Sequence, residues 1–485
     1  MKIATIHDIF RSSTLGMPEA DPVIGHWFYN RFLQILRPLR IEVERVSILV
    51  DGEPSILEGL AARHGWPRNK SGWAYVFSHP DAASVIMPTL ERLRAFDLVL
   101  GFEMPPNLIR ALHAHGQKLI DISIDPVRFC EDLFLRMRSN DPVLQTLIAE
   151  QSVPSSLIVA GAAELRARIQ PLPAQPEAIV FAGQVPDDSS LIAGSRIQSA
   201  TPFADRLNEI AAGRQILLKP HPYAPANPDL ATLHHALPKS RFTRDNIYAL
   251  MAAPWLGAVV TLSSSVATEA LYFDKPAIRL IDPDVEFVEP GVIGPFQRID
   301  ARASSAPFWG KLLDQAGQTQ GPAPPVAPLR RLFGANWGLP RPATVTASSS
   351  LSRGETTTNI QPYCVFGWSG AEPDGVWSDG TLAVLQMPAC NDGLASTLVL
   401  TLSAFAPDAD HQQELAISSG SVGFIDKIVL ATAERRELQI ALPLVPAGSM
   451  LEISIGMDTA ISPKELGINS DERRLGIKLH RMKIV

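Results

Sequence analysis

Residues 97–124 read DLVLGFEMPPNLIRALHAHGQKLIDISI, and this stretch decides the fold of the N-terminal part of the chain. Its two ends are short apolar runs, whereas its middle starts on two prolines and repeats apolar residues with the helical period. A strand, a helix and a second strand in this order are typical of a parallel sheet with crossover helices. The stretch therefore predicts an α/β domain.

The same alternation extends outward from this stretch in both directions. Upstream, KIATI (2–6) is predicted as a strand and VIGHWFYNRFLQIL (23–36) as a helix. Two such blocks predict two doubly wound lobes, at residues 1–170 and 171–320. In the second block, helical patterns separate four predicted strands: AIVFAG (178–183), QILLKP (215–220), GAVVTL (257–262) and AIRLI (277–281).

The chain changes character after residue 320. GPAPPVAP (321–328) is rich in proline, so residues 321–349 are predicted to be a linker with one helical turn lying on the lobes. From residue 350 onward the helical period disappears, and turn-forming residues separate short, partly alternating runs such as TLAVLQMP (381–388). Residues 350–485 are therefore predicted to form a jelly-roll-like β-sandwich.

Composition restricts the classes of function. Of the 485 residues, 46% are hydrophobic and 19% are charged, which is enough apolar material for packed cores. The net charge of -7 lacks the basic surplus of proteins that bind nucleic acid, so no nucleic-acid partner is expected. Three cysteines form no CxxC pair, and no apolar run fits a signal peptide or a membrane span. We therefore expect a cytoplasmic protein.

Three segments follow predicted strands of the second lobe, at the edge where open α/β sheets bind ligands. The first segment, FAGQVPDDSSLIAGS (181–195), contains Gln184, Asp187, Asp188 and Ser190. Loops of this composition often cap helices, so a plain turn is one interpretation and a carboxylate site is the other.

The second segment is LLKPHPY (217–223). Pro220 and Pro222 stiffen the backbone around His221, because each proline fixes its own φ and restricts the residue before it. An imidazole held at a strand end can donate to a phosphate oxygen, and Lys219 adds positive charge. The alternative interpretation is a buried, structural histidine.

The third segment, TLSSSVATEALYF (261–273), leads from a strand directly into a helix. Ser264 and Ser265 are placed to cap that helix, and hydroxyl groups beside first-turn amides suit a nucleotide phosphate. Glu269 lies in the first turn or just beyond it. Its carboxylate either complements the helix dipole or accepts hydrogen bonds from ribose hydroxyls.

The first lobe offers two further candidates. Glu103 follows a predicted strand and precedes a Pro-Pro helix start, so it is either a general base at the ligand edge or an ordinary helix-start anion. Arg128, at the next strand end, is a candidate for a bidentate contact with a substrate carboxylate. The alternative for Arg128 is an ion pair with Asp125 or Glu131.

Two other features allow a chemical and a structural interpretation. IDPDVE (281–286) contains an Asp-x-Asp, which we interpret as a loop because no His or Cys lies near it with ligand spacing. No metal or other cofactor is expected. For Trp368 and Trp377, which lie among glycines and acidic residues, we favour core and turn packing over stacking on sugars.

The order of these motifs resembles a known family. Q-x-x-x-D-x-S at Gln184, Asp188 and Ser190, then KPHP, then S-S-x-x-x-E-A are similar to the retaining β-Kdo transferases of bacterial capsule and O-antigen synthesis. The resemblance implies a GT-B-like pair of Rossmann-type lobes and retaining transfer of Kdo from CMP-Kdo to a saccharide. It also implies that Asp188 forms a covalent sugar adduct, with Asp187 as an unresolved competitor.

By the same resemblance, His221, Ser264 and Ser265 would hold the CMP phosphate, and Glu269 would hold the ribose. The expected partners are a CMP-sugar and an oligosaccharide or lipid-linked glycan, with peripheral attachment to the inner membrane through other assembly proteins. Two alternatives stay open. One is a GT-B transferase with another nucleotide sugar, and the other is a non-catalytic glycan-binding or scaffold protein.

Overall fold

The computed structural model describes residues 1–11, 24–46, 62, 65–67, 69–79, 87–315, 328–333, 353–388, 396–419, 423–442 and 450–485. The chain forms two compact units, each discontinuous in sequence. Unit 1 comprises Met1–Ile169, Asp187–Gln198 and Leu262–Pro340; unit 2 comprises Gln170–Pro186, Ser199–Thr261 and Arg341–Val485. Parts of the predicted second lobe thus belong to unit 1. The four predicted domains follow chain order, and their boundaries stay a prediction.

The sheet of unit 1 is mixed. Its strands are β1 (Lys2–Ile6), β2 (Glu42–Arg45), β3 (Leu98–Phe102), β4 (Leu119–Ile124), β5 (Leu135–Ser139) and β13 (Gln297–Ile299), in the order β13-β5-β4-β3-β1-β2. Strands β1 to β4 are parallel, whereas β5 and β13 are antiparallel additions at one edge. The parallel part confirms the strands predicted at 2–6, 97–102 and 118–124. The shorter β7 (Ile192–Ala193), β8 (Arg196–Ile197) and β12 (Ala277–Arg279) also belong to unit 1.

Apolar side chains cover both faces of this sheet, as a doubly wound arrangement requires. Leu98, Leu100 and Phe102 of β3 join the core on one face, and Val99 joins the core on the other. Helices supply the remaining apolar surface. They span His26–Leu36, Lys70–Ser78, Met87–Leu93, Pro106–Ala114, Pro142–Glu150, Ser155–Arg168, Val266–Leu271, Ala306–Leu312 and Leu329–Phe333.

Unit 2 contains a smaller parallel sheet. Its strands are β6 (Ala178–Ala182), β9 (Gln215–Lys219), β10 (Ser240–Phe242) and β11 (Leu256–Thr261), in the order β10-β9-β6-β11. The central residues of β6, β9 and β11 are buried, in agreement with their continuous apolar runs. Helices Ala204–Ala211, Pro228–Ala236 and Ile247–Ala252 connect the strands, so the α/β prediction for this part of the chain is confirmed.

The C-terminal residues form two antiparallel sheets that share one apolar core. One sheet has the order β16-β17-β24-β19-β22, with β14 paired to β24, and the other has the order β15-β18-β23-β20-β21. The predicted antiparallel sandwich is thereby confirmed. Its strands are β14 (Thr356–Thr357), β15 (Cys364–Phe366), β16 (Trp368–Glu372), β17 (Gly375–Ser378), β18 (Leu382–Pro388), β19 (Ser396–Ala404), β20 (Gln413–Ser419), β21 (Gly423–Leu430), β22 (Arg436–Leu442), β23 (Met450–Gly456) and β24 (Ile477–Ile484).

Most of the predicted linker, residues 321–349, lies outside the described residues, as does Cys390. The exception is residues 328–333, where the helix Leu329–Phe333 forms. The Asp132 carboxylate accepts the backbone N–H groups of Leu329 and Arg330, each at 2.8 Å. The predicted helical turn is therefore present, and its N-terminal amides hold it on Asp132 within unit 1. Within the described ranges, no helix has the length and apolarity needed to cross a bilayer.

Candidate functional site

The two neighbouring carboxylates of the first motif have different surroundings. Asp188 caps the short 3-10 helix Ser189–Leu191, because its Oδ1 accepts the Ser190 N–H at 2.9 Å. The Asp187 carboxylate forms an ion pair with Lys70, and the Asp187 carbonyl accepts a hydrogen bond from Arg11 at 3.4 Å. The turn interpretation is therefore correct for the backbone of this loop. Among the described residues, the ion pair found in this loop is that of Asp187 with Lys70.

The serine segment is tied to the same loop. Ser263 Oγ donates to the Ser190 carbonyl at 2.6 Å. Ser264 Oγ accepts the Val266 N–H at 3.4 Å, whereas the Ser265 side chain makes no capping hydrogen bond. Ser265 is nevertheless the N-cap residue by position, so a serine at the start of this helix agrees with the sequence prediction.

The helix that follows is only six residues long, Val266–Leu271. Its dipole is correspondingly small, so hydroxyl and amide groups must supply most of any attraction for a phosphate. Glu269 lies in the first turn, as predicted, and only 2% of its surface is exposed. Its Oε1 accepts the Arg128 N–H at 2.7 Å. Glu269 therefore fixes the backbone of the candidate carboxylate-binding arginine.

The segment around Arg128 is held from two sides. The Asp125 carboxylate accepts the Val127 N–H at 2.9 Å and pairs with Arg298 at 2.9 Å. The sequence did not indicate Arg298, which lies on β13 more than 170 positions away. Asp125 thus has a cationic partner other than Arg128, and the positive charge of Arg128 lies near Glu103 instead.

Glu103 combines a left-handed backbone with a place at the end of a buried strand. It follows β3 directly, as predicted, and it adopts a left-handed backbone with φ of +49°. Its N–H donates to the Ile122 carbonyl at 2.9 Å, and the next amide, that of Met104, donates to Asp121 Oδ1 at 3.4 Å. Strained backbone of this kind at a strand end is concentrated at functional sites, since the surrounding structure must hold it in place.

The charged groups around Glu103 have opposite effects on the pKa of its carboxyl group. Its side chain reaches solvent, yet the surrounding protein atoms raise the pKa of its carboxyl group, and the negative charges of Asp188 and Asp121 raise it further. The positive charges of Arg136 and Arg128 oppose this rise in the pKa. The structure therefore places Asp188 and Arg128, both of unit 1, within electrostatic reach of Glu103.

Another carboxyl group at this edge of the sheet escaped the sequence analysis. Asp8 follows β1, the neighbour of β3, and burial raises its pKa to about 6. Its Oδ2 accepts the Trp73 indole N–H at 2.9 Å, and its Oδ1 accepts the Phe10 N–H at 3.0 Å. The signal was the polar pair His7–Asp8 directly after the strand KIATI, the same signal that identified Glu103.

The remaining predicted nucleotide ligands lie in unit 2, after adjacent strands. Ala182 of β6 pairs with Lys219 of β9, so the residues that follow these strands start side by side. Gly183 donates its N–H to the Lys219 carbonyl at 2.9 Å. Gln184 is 7% exposed, and its carbonyl accepts from the side chain of Asn227 at 3.3 Å. Gln184 is thus anchored in the lobe close to the strand that leads to His221.

His221 is oriented by its own loop. The Tyr223 N–H donates to His221 Nδ1 at 3.1 Å, so in the neutral ring the proton lies on Nε2. An Nε2–H group is the donor that a phosphate oxygen requires. The ring is partly exposed, which speaks against the interpretation as a buried structural histidine.

Lys219 lies at the end of β9, and the pKa of its ammonium group is lowered. Burial lowers the pKa of its ammonium group to about 8; the Arg244 charge lowers it too, and Asp245 opposes the change. A lysine with this pKa is partly neutral near physiological pH. A bound anion would favour its charged form.

The Asp-x-Asp segment has a structural part in the loop packing. Asp284 accepts the N–H groups of Gly194 and Ser195 at 3.0 and 2.9 Å, and the Ser78 hydroxyl at 2.7 Å. These contacts agree with the interpretation of residues 281–286 as a loop. Within the described residues, no group of three or more His, Cys, Asp or Glu side chains is arranged to hold a metal ion.

The two tryptophans of the sandwich differ. Trp368 is 5% exposed, and its indole N–H donates to the Val384 carbonyl at 3.0 Å, which confirms core packing. Trp377 is half-buried, with its ring edge toward Phe405 and the Lys478 ammonium 5.4 Å from its ring centroid. The packing prediction is therefore correct for Trp368 and only partly so for Trp377.

No family model and no curated protein matches the sequence. Among solved structures, the chain is similar to the KpsC beta Kdo 2,7 transferase of Thermosulfurimonas dismutans, with 14% identity and a TM-score of 0.32. This match covers 59% of the present chain and 80% of KpsC.

Two carbohydrate-binding modules match a smaller part of the chain. A CBM36 module in complex with calcium and xylotriose matches with 9% identity and a TM-score of 0.18, over 27% of this chain and 97% of the module. The module CsCBM6-3 from Clostridium stercorarium, in complex with cellobiose, matches with 4% identity and a TM-score of 0.18, over 28% and 97%. Likenesses this distant carry no functional weight, so the proposal below rests on the residues themselves.

Proposed function

We propose that this protein is a GT-B glycosyltransferase that moves Kdo from CMP-Kdo to a saccharide acceptor with retention of configuration. The observation that carries the proposal is the pair Glu103 and Asp188, two carboxyl groups of unit 1 that interact electrostatically but have different surroundings. Carboxyl groups whose environments differ in this way commonly divide the roles of acid–base catalyst and nucleophile.

Asp188 is the proposed nucleophile. Its carboxylate oxygen attacks the anomeric carbon of the donor sugar, the bond from that carbon to the phosphate oxygen breaks, and CMP leaves. The acceptor hydroxyl then attacks the same carbon from the other side and releases Asp188. Two inversions give net retention. The Lys70 ion pair of Asp187 favours Asp188 for this role, because an attacking carboxylate must be available to the sugar.

Glu103 is the proposed general base of the second step. It takes the proton of the acceptor hydroxyl as that oxygen attacks, a contribution typically worth about 10²–10⁴-fold in rate. A raised pKa makes Glu103 a stronger base than an ordinary glutamate, and the positive charges of Arg136 and Arg128 oppose the rise. The left-handed backbone fixes where this carboxylate points.

The proposed donor contacts are those that the sequence motifs indicate. We propose that His221, Lys219, Ser264 and Ser265 bind the phosphate of CMP, and that Arg128 binds the carboxylate of Kdo. In this scheme imidazole, ammonium and hydroxyl groups stabilise a single phosphate, so no metal ion or other cofactor is required. The remaining predicted contacts are Gln184 and Ser190 to the donor and Glu269 to the ribose.

The location and the acceptor are part of the same proposal. A CMP-sugar enzyme of this kind would act in the cytoplasm on an oligosaccharide or a lipid-linked glycan. Attachment to the inner membrane face would then depend on other assembly proteins.

The decisive experiment is intact-mass measurement of the full chain after incubation with CMP-Kdo and no acceptor. Wild-type protein is expected to gain the mass of one Kdo residue on Asp188, and the Asp188→Asn variant is expected to gain none. Asp187→Asn is the matched control, because it changes the adjacent carboxylate and should still form the adduct. An adduct that persists in Asp188→Asn but vanishes in Asp187→Asn would reverse the assignment.

Absence of any adduct on wild type would leave two outcomes to separate. Turnover of another CMP-sugar under the same conditions would favour a transferase with a different donor. Failure of every nucleotide sugar to react, with glycan binding retained, would favour a non-catalytic protein and would overturn the enzymatic proposal.

A further inference from the structure

The sandwich is attached to the edge strand of the smaller parallel sheet through a buried polar pair. Gln386 of β18 and Glu452 of β23 are cross-strand partners, and Gln386 Nε2 donates to Glu452 Oε2 at 2.7 Å. Both residues are 8% exposed. Charged and amide groups are rarely buried without partners, so this pair must have acceptors and donors beyond itself.

Those partners are the backbone groups of Phe242, the last residue of β10. Gln386 Nε2 donates to the Phe242 carbonyl at 2.6 Å, and the Phe242 N–H donates to Glu452 Oε2 at 3.3 Å. An edge strand presents unpaired N–H and C=O groups, and here two side chains of the sandwich satisfy them as a neighbouring strand would. The Phe242 ring also stacks on Phe366 of β15, with centroids 4.2 Å apart.

The charged groups around Glu452 complete this contact. His234 Nε2 lies 3.3 Å from Glu452 Oε1, and Arg241 acts on Glu452 through its charge. Burial raises the pKa of Glu452 and lowers that of His234 to about 4. Both shifts are in the direction that disfavours the charged forms, whereas the hydrogen bonds from Gln386 and Phe242 and the charge of Arg241 favour the Glu452 carboxylate.

The residues that follow Phe242 lead directly to Lys219. The Thr243 N–H donates to the Leu218 carbonyl at 2.9 Å, next to Lys219 on the neighbouring strand. Arg244 and Asp245 come next, and these are the two charges that act on Lys219. Arg244 is in turn anchored on the sandwich, because its guanidinium donates to the Gln361 carbonyl at 2.6 Å.

We propose that the β-sandwich is a positioning element of the anion-binding edge of unit 2: it fixes residues 242–245 and so sets the charges around Lys219. The sandwich then acts on the phosphate site from within its own unit, whatever else it binds. The identity of the anion as a nucleotide phosphate rests on the proposed function, whereas the contact between the sandwich and residues 242–245 does not.

The test is the pH dependence of Lys219 acylation, measured residue by residue by mass spectrometry on the full chain. In Gln386→Met the shape is nearly kept, but the Phe242 carbonyl loses its donor, so we expect water to enter and the Lys219 pKa to rise toward its ordinary value. A rise from about 8 to ~9 lowers the neutral fraction at pH 8 from about one half to about one tenth, a roughly fivefold slower labelling. Amide exchange in residues 240–246 should become faster.

The matched control is Gln439→Met, which changes an exposed glutamine on β22 of the other sheet. Equal Lys219 labelling in the two variants, with both folded, would overturn the proposal. If Gln386→Met does not fold, Phe366→Leu gives the same comparison, because it removes the ring stack on Phe242 but keeps an apolar side chain. Protection of wild-type Lys219 by added CMP tests the proposed function separately and does not enter this result.

Discussion

Replacement of Glu103 by glycine should stabilise the protein relative to replacement by alanine, while both variants lose transfer activity. The backbone of Glu103 has a φ of +49°, a conformation that costs a residue with a Cβ about 1–2 kcal/mol. Glycine adopts this conformation without that cost. Its greater conformational entropy in the unfolded chain, however, lowers the free energy of unfolding by about 0.4–1 kcal/mol. We therefore expect Glu103→Gly to exceed Glu103→Ala in the free energy of unfolding by ~0.5–1 kcal/mol.

Both variants remove the same carboxylate, so the loss of repulsion from Asp188 and Asp121 cancels in the comparison. Scanning calorimetry of the full chain is the assay, and a difference of ~1–3 °C in the melting temperature of unit 1 is expected. Equal or reversed stabilities would refute the claim that a strained backbone is held at this position. Transfer near the wild-type rate in either variant would instead refute the role of Glu103 as the base.

Three further outcomes follow from the site. The acidic limb of the pH profile of kcat/KM should have its midpoint above pH 4.5, because Glu103 has a raised pKa and loses its base form as the pH falls through that value. A midpoint at or below pH 4.5 would contradict the role of Glu103 as the base. The His221→Ala variant should bind CMP ~10–100-fold more weakly with an unchanged melting temperature, the loss expected for a hydrogen bond to a charged group. Unchanged affinity, measured by calorimetry, would remove His221 from the phosphate site. Gly183→Ala should lower the free energy of unfolding in urea by ~1–3 kcal/mol, because an added Cβ would lie 2.7 Å from Leu230 Cδ1 and 3.2 Å from the Lys219 carbonyl oxygen. An unchanged free energy of unfolding would show that this loop can move.

The sequence predicted the elements whose pattern is local. Most of the parallel strands are short apolar runs, and the sandwich strands are short runs between turn-forming residues, so period and punctuation were sufficient for these. The parallel strands β2 (EVER) and β10 (SRF) lack such a run and were not predicted. The strand β5, LRMRS, was missed because Arg136 and Arg138 interrupt its apolar run. Arg138 is nevertheless buried, since Asp121 on the neighbouring strand pairs with it at 2.9 Å. An ion pair between two neighbouring strands allows a charged residue to be buried, and the sequence of either strand alone does not show it.

The boundaries of the compact units were beyond local patterns for a related reason. The described residues of the segments 187–198 and 262–333 pack with the N-terminal residues through contacts between distant positions, such as Asp284 with Ser78 and Asp132 with Leu329. Hydrogen bonds of this kind join residues about 200 positions apart. Chain order alone carries no sign of these contacts, and the domain boundaries drawn from it stay a prediction.

The choice between Asp187 and Asp188 shows what structure adds to a motif. Both residues fit an Asx-rich turn after a buried strand, and sequence spacing favours Asp188 only through a resemblance. Asp187 forms an ion pair with Lys70, which lies on the helix Lys70–Ser78. The negative charge of Asp188 instead raises the pKa of Glu103. The proposed mechanism needs a carboxylate that is available to the sugar, and the ion pair of Asp187 is the reason to propose Asp188. The residues that separate the two aspartates, Lys70 and Glu103, lie more than 80 positions away in the sequence.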